Sequence, residues 1–222
     1  LSSRLVIAMD GPAGAGKSTL AKIVASRLSY LYIDTGAMYR ALALKALRMG
    51  LDIGDDAALS EMAGASAVRL ERGSSGVKVL LDGEDVTVDI RTPEVNRVVS
   101  RVSSAMGLRR YLVDAQRQMA RQGGVVMDGR DIGSHVLPDA DVKFFVTASL
   151  KERAIRRQQQ LAKAGHKISL AETEAEIAVR DHQDRNKGEG SLVQTPGAVL
   201  IDTTGRSVED VVEEILMRCR RD

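Results

Sequence analysis

The segment Gly11-Pro12-Ala13-Gly14-Ala15-Gly16-Lys17-Ser18-Thr19 satisfies GxxxxGK[ST] at every fixed position, and it constrains this chain more than any other feature. Glycines there let the backbone wrap a polyphosphate, so that successive N–H groups and the positive end of the following helix face the anion. Lys17 adds a point charge toward the β and γ phosphates, and the Ser18 hydroxyl is a ligand suited to Mg²⁺. The flanking sequence has the required form. Arg4 to Met9 is a short, branched apolar run that reads as a buried strand, and Lys17 to Leu28 carries Leu20, Ile23, Val24 and Leu28 on one helical face. The motif identifies a nucleoside triphosphate site without saying what is done with the nucleotide.

Composition narrows the choice. Of 222 residues, 44% are apolar and 28% charged, enough to bury a core. The longest stretch without Asp, Glu, Lys or Arg is the twelve residues from Gly190 to Ile201, whereas a membrane span needs roughly 20 apolar residues. The apolar run at Leu5 to Met9 is too short for a signal-peptide core, and a cytoplasmic protein is expected. Cys219 is the single cysteine, so no internal disulfide exists and a packing role is expected. A net charge of +2 argues against a general nucleic-acid or anionic-membrane surface. With no Trp and only two Phe and four Tyr, stacking platforms for single strands are also a poor fit. Arginine, however, outnumbers lysine 23 to 9, and its planar fork suits phosphates.

Strand and helix signals alternate, which predicts an α/β fold with a parallel sheet and crossover helices. Strands are expected at Tyr30–Ile33, Val125–Asp128, Val142–Val146 and Ala198–Ile201. Helices are expected at Met38–Met49, from Pro93, at Leu108–Gln122, from a capping box at Ser149 and Glu152, and after Ser207. Between Val68 and Ile90 the texture changes to branched residues punctuated by glycine. VRLERGSSG, VKVLLDGED and VTVDI predict a small antiparallel unit with turns at Gly73 to Gly76 and at Asp82-Gly83. The polar region Lys151 to Lys187 reads as helical with a break near Gly165 and His166.

Several charged groups lie where ligands bind in open α/β sheets. Asp34-Thr35-Gly36-Ala37-Met38-Tyr39-Arg40 ends the second strand, and Arg40 stands in the first turns of a helix, where the macrodipole alone favours an acid. Arg109 and Arg110 start another helix. Val125-Val126-Met127-Asp128-Gly129-Arg130-Asp131 places Asp128 after an apolar strand, as a Walker-B acid is placed. Arg153, Arg156 and Arg157 fall on one face of a helix, followed by Arg180 and Arg185 on the next. Asp10 precedes the phosphate loop, where a structural turn role and a role in the Mg²⁺ water shell are both open.

Taken together, GPAGAGKST, DTGAMYR, EDVTVDIRTPEVN, VMDGRDIG and RDHQDRN, in this order, resemble the bacterial cytidylate kinase family of P-loop nucleoside monophosphate kinases. The resemblance runs nearly end to end and implies a parallel sheet flanked by helices, an antiparallel β insert on the acceptor side and a helical lid. It implies a core of residues 1–35, 91–150 and 189–222, an NMP-binding region 36–90 with its insert at 67–90, and a lid at 151–188. It also implies transfer of the γ-phosphoryl group of ATP, with Mg²⁺, to CMP or dCMP, in a monomer. Its CMP-phosphate contacts map onto Arg40, Arg130 and Arg180, its cytosine contacts onto Ser100, Arg109 and Asp131, and its ribose contact onto Asp184. Thr35 joins the acceptor set, and Arg153 and Arg157 join Lys17 and Arg130 as groups acting on the transferred phosphoryl. Lys187 stands where the family pattern often has arginine.

That division is chemically coherent. Cytosine offers acceptors at O2 and N3 that suit arginine, and an amino donor at C4 that suits Asp131 or Ser100. A phosphate nucleophile with a second pKa of about 6 is already ionised near neutrality, so no general base is required. The sparse histidines His135, His166 and His182 fit that chemistry. A kinase for a hydroxyl acceptor, with Asp34 or Asp128 as base, is the nearest alternative. An ATP-driven regulatory or nucleic-acid-binding protein is a further one.

Overall fold

The computed structural model describes residues 4–73, 76–163, 165, 168–186 and 188–220. His166, Lys187 and the tip of the first expected hairpin at 74–75 lie outside them. Two compact units emerge, one of residues 1–32 and 122–222, the other of residues 33–121.

The first unit is built on strands β1 (Val6–Asp10), β6 (Val125–Asp128), β7 (Val142–Thr147) and β8 (Val199–Asp202). With β2 (Leu31–Asp34), which leads into the second unit, they make a five-stranded parallel sheet in the order β2-β6-β1-β7-β8. β1 is central, pairing Val6 to Met9 with Val125 to Asp128 on one side and Ile7 to Asp10 with Val142 to Phe145 on the other. Ile7, Ala8 and Met9 are completely buried, as expected of a parallel strand covered on both faces. The helices of this unit are α1 (Lys17–Leu28), which packs on β1 and β6, α6 (Leu150–Lys163) and α7 (Leu170–Asn186), which pack on each other, and α8 (Val208–Cys219). α8 packs against α1, and Arg27 reaches Glu209 and Glu213 at 2.6 and 2.7 Å. Ser207 caps α8 as expected, accepting from the Asp210 N–H. At the start of α6 only half of the capping box forms. Glu152 N–H donates to Ser149 Oγ at 3.2 Å, while the Glu152 carboxylate turns to Arg156 at 3.0 Å. Cys219 is free and buried, and burial pushes its thiol up to about 11.

In the second unit, α2 (Thr35–Arg48) is the central element. Met38, Ala41, Leu42, Ala43 and Ala46 are fully buried, and a helix apolar over so much of its circumference must be covered on several sides. It is packed by α3 (Asp56–Gly64), α4 (Pro93–Val102), α5 (Met106–Ala120) and the sheet β3 (Val68–Gly73), β4 (Gly76–Leu81), β5 (Glu84–Asp85). α3 is an addition to the sequence reading, marked by Asp55, whose carboxylate accepts from the N–H groups of Ala57 and Ala58.

The antiparallel insert forms, with Asp82 and Gly83 both at positive φ in the expected turn. Its third expected strand is corrected: pairing stops at Asp85, and VTVDI is a turn followed by a 3₁₀ turn at Asp89–Arg91. Thr87 is the cause. Its N–H and hydroxyl both donate to Asp85 Oδ1, and the hydroxyl oxygen accepts the Val79 N–H at 2.9 Å in place of a backbone carbonyl. Val86 and Ile90 are then buried at a spacing of four while Val88 is 80% exposed, a helical rather than an alternating pattern.

Candidate active site

β1 lies between β6 and β7; the chain leaves β1 for β2 on one side and later crosses from β6 to β7 on the other, so the carboxyl end of β1 is the topological switch point of the sheet. The phosphate loop occupies that end. Gly11, at φ 147°, passes so close to β7 that a Cβ would stand 1.9 Å from the Val146 carbonyl oxygen. Gly14 and Gly16 adopt left-handed φ values of 77° and 91°, which alternate the peptide directions as an anion-binding loop requires. A Cβ on Gly14 would meet the Arg153 Cβ at 3.1 Å, so α6 packs directly on the loop.

Lys17 is 5% exposed and its Nζ donates to the Pro12 carbonyl at 2.7 Å. Burial, and then the nearby Arg130 guanidinium, hold its pKa well below the ordinary lysine value against the pull of Asp128, Asp10 and Asp184. Ser18 Oγ donates to Asp128 Oδ2 at 2.8 Å, and the other Asp128 oxygen accepts from Tyr32 Oη at 2.9 Å. These hard oxygen donors fit Mg²⁺, which takes few protein ligands and completes its shell with phosphate and water. Asp10 holds backbone. Its carboxylate accepts the N–H groups of Ile132 and Gly133 at 2.8 and 2.7 Å, fixing the segment that follows β6.

That segment carries Arg130 and Asp131. Arg130 Nε pairs with Asp184 Oδ2 of α7 at 2.6 Å, and Asp131 and Asp184 are each 5% exposed. Arg180 and Arg157 are half-buried on α7 and α6. Arg153 is buried, and each of its three guanidinium nitrogens has a protein acceptor: Asp181 at 2.7 Å, the Ala13 carbonyl at 3.1 Å and the Ala148 carbonyl at 3.0 Å. Of the described histidines, His135 faces Glu189 at 3.2 Å, and His182 is on α7 near Asn186.

The remaining candidates belong to the second unit. Thr35 opens α2 and is buried, with Asp34 as its N-cap accepting from Ala37 N–H at 2.9 Å. Arg40 folds back over the helix start, its Nη1 occupying the space a Gly36 Cβ would need at 2.9 Å, and its Nε reaches Asn96 of α4 at 3.4 Å. Ser100 lies half-buried on α4. Arg109, 3% exposed on α5, reaches the Tyr39 hydroxyl at 3.5 Å. The unit thus pairs Arg40 with Asn96 and Arg109 with Tyr39, two polar partners the sequence reading did not single out. Tyr32, Asp181 and Thr203 are the corresponding additions in the first unit. Tyr39 sits inside DTGAMYR and was open to recognition there, whereas Tyr32 in a buried strand reads only as core.

A phosphate loop at the switch point of a parallel sheet, a buried lysine, and a serine joined to an acid at the end of the neighbouring strand define a P-loop phosphotransferase of the α/β kinase type. A gluconokinase from Sinorhizobium meliloti shares the fold, with TM-score 0.50 at 15% identity over 98% of this chain and 92% of that one. Residues 7–221 match the family described as cytidylate kinase. A cytidylate kinase from Symbiobacterium thermophilum is 66% identical over 98% of this chain and 96% of its own length, and one from Desulfitobacterium hafniense is 50% identical over 97% and 93%. The chain belongs to the cytidylate kinase family.

Proposed function

We propose that this chain transfers the γ-phosphoryl group of ATP to the phosphate of CMP or dCMP, giving CDP or dCDP and ADP. The observation that carries the reading is the Ser18–Asp128 contact at the mouth of the phosphate loop, in a chain that matches the family from residue 7 to 221. An acceptor phosphate oxygen forms the new bond to γ-phosphorus while the bond to the β,γ-bridging oxygen breaks and ADP leaves. The acceptor is already ionised, so the protein needs to align two polyanions and offset charge rather than to remove a proton.

Lys17 serves the β and γ phosphates, and the backbone N–H groups of the loop from Ala13 to Thr19 cradle them. Ser18 and Asp128 would hold Mg²⁺, which would supply positive charge to offset the charge developing on the donor phosphates. Arg40, Arg130 and Arg180 take the CMP phosphate, Ser100, Arg109 and Asp131 the base, and Asp184 the ribose, with Thr35 at the acceptor side. Arg153 and Arg157 act from α6 on the transferred phosphoryl together with Lys17 and Arg130, Arg153 while also holding the Ala13 carbonyl. In this reading residues 36–90 receive the acceptor, with the insert at 67–90, and residues 151–188 close as a lid over a core of 1–35, 91–150 and 189–222. Among the described residues no helix is long and apolar enough to cross a membrane. A cytoplasmic monomer is part of the proposal, supported by the family resemblance.

ADP release measured with CMP, dCMP, UMP, AMP, GMP and shikimate in parallel tests the assignment. CMP and dCMP should turn over fastest. Activity with shikimate alone would move the chain to the hydroxyl-acceptor class, and activity with none of the six would overturn the reading.

A further inference from the structure

The Ala13 and Ala15 carbonyl oxygens of the phosphate loop are held from outside by side chains of α6 and of the turn after β8. Arg153 Nη1 donates to the Ala13 carbonyl at 3.1 Å, and its Nη2 is held by Asp181 at 2.7 Å. Two residues along the loop, the Ala15 carbonyl lies 3.1 Å from Thr203 Oγ1, on the turn after β8. Thr203 is 4% exposed and in turn is gripped by Arg156, whose Nη1 donates to its hydroxyl oxygen at 2.9 Å and whose Nη2 donates to its carbonyl at 2.8 Å.

A hydroxyl has one proton to give. Thr203 Oγ1 stands 3.1 Å from two carbonyls, those of Ala15 and Thr147. The Thr147 carbonyl already accepts the Thr203 N–H at 2.9 Å. With Arg156 donating to the hydroxyl oxygen and the Thr147 carbonyl already supplied by an N–H, assigning the Thr203 proton to the Ala15 carbonyl satisfies all three groups. The chain of donors therefore runs from Arg156 through Thr203 to the loop.

In a trans peptide the C=O and the following N–H point to opposite sides. Drawing the Ala13 and Ala15 carbonyls toward α6 and the turn after β8 turns the N–H groups of Gly14 and Gly16 away from them. The left-handed φ of both glycines permits that alternation. We propose that Thr203, oriented by Arg156, is a positioning residue of the phosphate loop, and that with Arg153 it presets the Gly14 and Gly16 N–H groups to face the donor polyphosphate. Donors fixed before the ligand arrives cost no reorganisation when it binds. The inference rests on the reading of the loop as the ATP site and adds Thr203 and Arg156, to which that reading gives no nucleotide contact.

Thr203→Val keeps shape and removes the hydroxyl, and Thr203→Ser keeps the hydroxyl. ADP binding by calorimetry and the ¹⁵N–¹H shifts of Gly14 and Gly16 are measured on the full chain, with CMP binding as an internal control. A lost positioning bond of ordinary net strength should weaken ADP binding about 3- to 10-fold in Thr203→Val. The two glycine amides should shift before ADP is added, CMP affinity should stay within about twofold of wild type, and Thr203→Ser should restore ADP affinity. If Thr203→Val does not fold, Arg156→Met removes the orienting donor from the surface side and should show the same glycine shifts with a smaller loss of ADP affinity. Wild-type ADP affinity and unmoved glycine amides in the folded variant, or a serine variant as impaired as the valine one, would overturn the proposal. Failure of the wild-type chain to bind ADP would instead defeat the ATP-site reading itself.

Discussion

Ser18 and Asp128, which are 110 residues apart in sequence, meet at 2.8 Å, and the opposite Asp128 oxygen is tied to the Tyr32 hydroxyl at 2.9 Å. The carboxylate is thus fixed in plane, with one oxygen committed to the core and the other turned to the phosphate loop. Asp128→Asn keeps the shape but puts an amide donor against a hydroxyl donor. It should lower turnover about 100-fold or more and raise the Mg²⁺ concentration for half-maximal rate, while Tyr32→Phe should cost about 10-fold or less. Steady-state rates over a Mg²⁺ titration separate the two, and equal losses in both variants would contradict this ordering.

Lys17 carries its charge in a place that resists it. Burial and Arg130 push its pKa down, so the folded state disfavours the ammonium relative to the unfolded chain. Lys17→Met should therefore abolish most turnover, by at least about 1,000-fold given the weight of electrostatic stabilisation in such sites, without lowering thermal stability at neutral pH. Near-normal activity would remove Lys17 from the chemistry, and a large fall in melting temperature would show that its charge supports the fold.

The phosphate loop, the sheet and Asp128 were legible because each is local: a glycine pattern, an apolar run, an acid at a strand end. The outer support was not. Thr203 follows a strand as any turn residue does, and its meaning depends on Ala15, 188 residues earlier. Arg109 and Arg110 look like one basic pair, yet Arg109 is 3% exposed because it shares the α5 face of Leu108, Leu112 and Val113. The misread strand at VTVDI has the same origin. Alternating branched residues predict a strand, but the Asp85–Thr87 side-chain bonds compete with the backbone ladder and end it.

Asp10 supplies a pH dependence. Burial raises its pKa from 3.8 to about 6, outweighing the N–H donors of Gly133 and Ile132, with Asp131 adding to the rise and Lys17 opposing it. Because the folded state keeps this proton to higher pH than the unfolded chain, it binds more protons between those two values. Stability from this group is fully present below about pH 4 and is lost as pH rises toward about 6, by an amount on the order of 3 kcal/mol at most. Denaturant midpoints of wild type and Asp10→Asn, compared from pH 4 to 7, should show wild type losing ground to the variant over that window. A gap that stays flat, or widens in favour of wild type, would place the Asp10 pKa near its ordinary value.

Base selection should depend on Asp131, a buried carboxylate directly after Arg130 on the segment that Asp10 fixes. A carboxylate accepts from the amino group of cytosine and repels the carbonyl that uracil carries at the same position, so it acts both for CMP and against UMP. Removing it unmakes a charge-assisted hydrogen bond on one side and a repulsion on the other. Asp131→Ala should therefore lower kcat/KM for CMP and raise or leave unchanged that for UMP, reducing their ratio by about 10-fold or more. Parallel kinetics with the two acceptors at saturating ATP check this. An unchanged ratio with lower rates for both would assign Asp131 to holding Arg130 in place, and selection would then fall to Ser100 and Arg109 of the second unit.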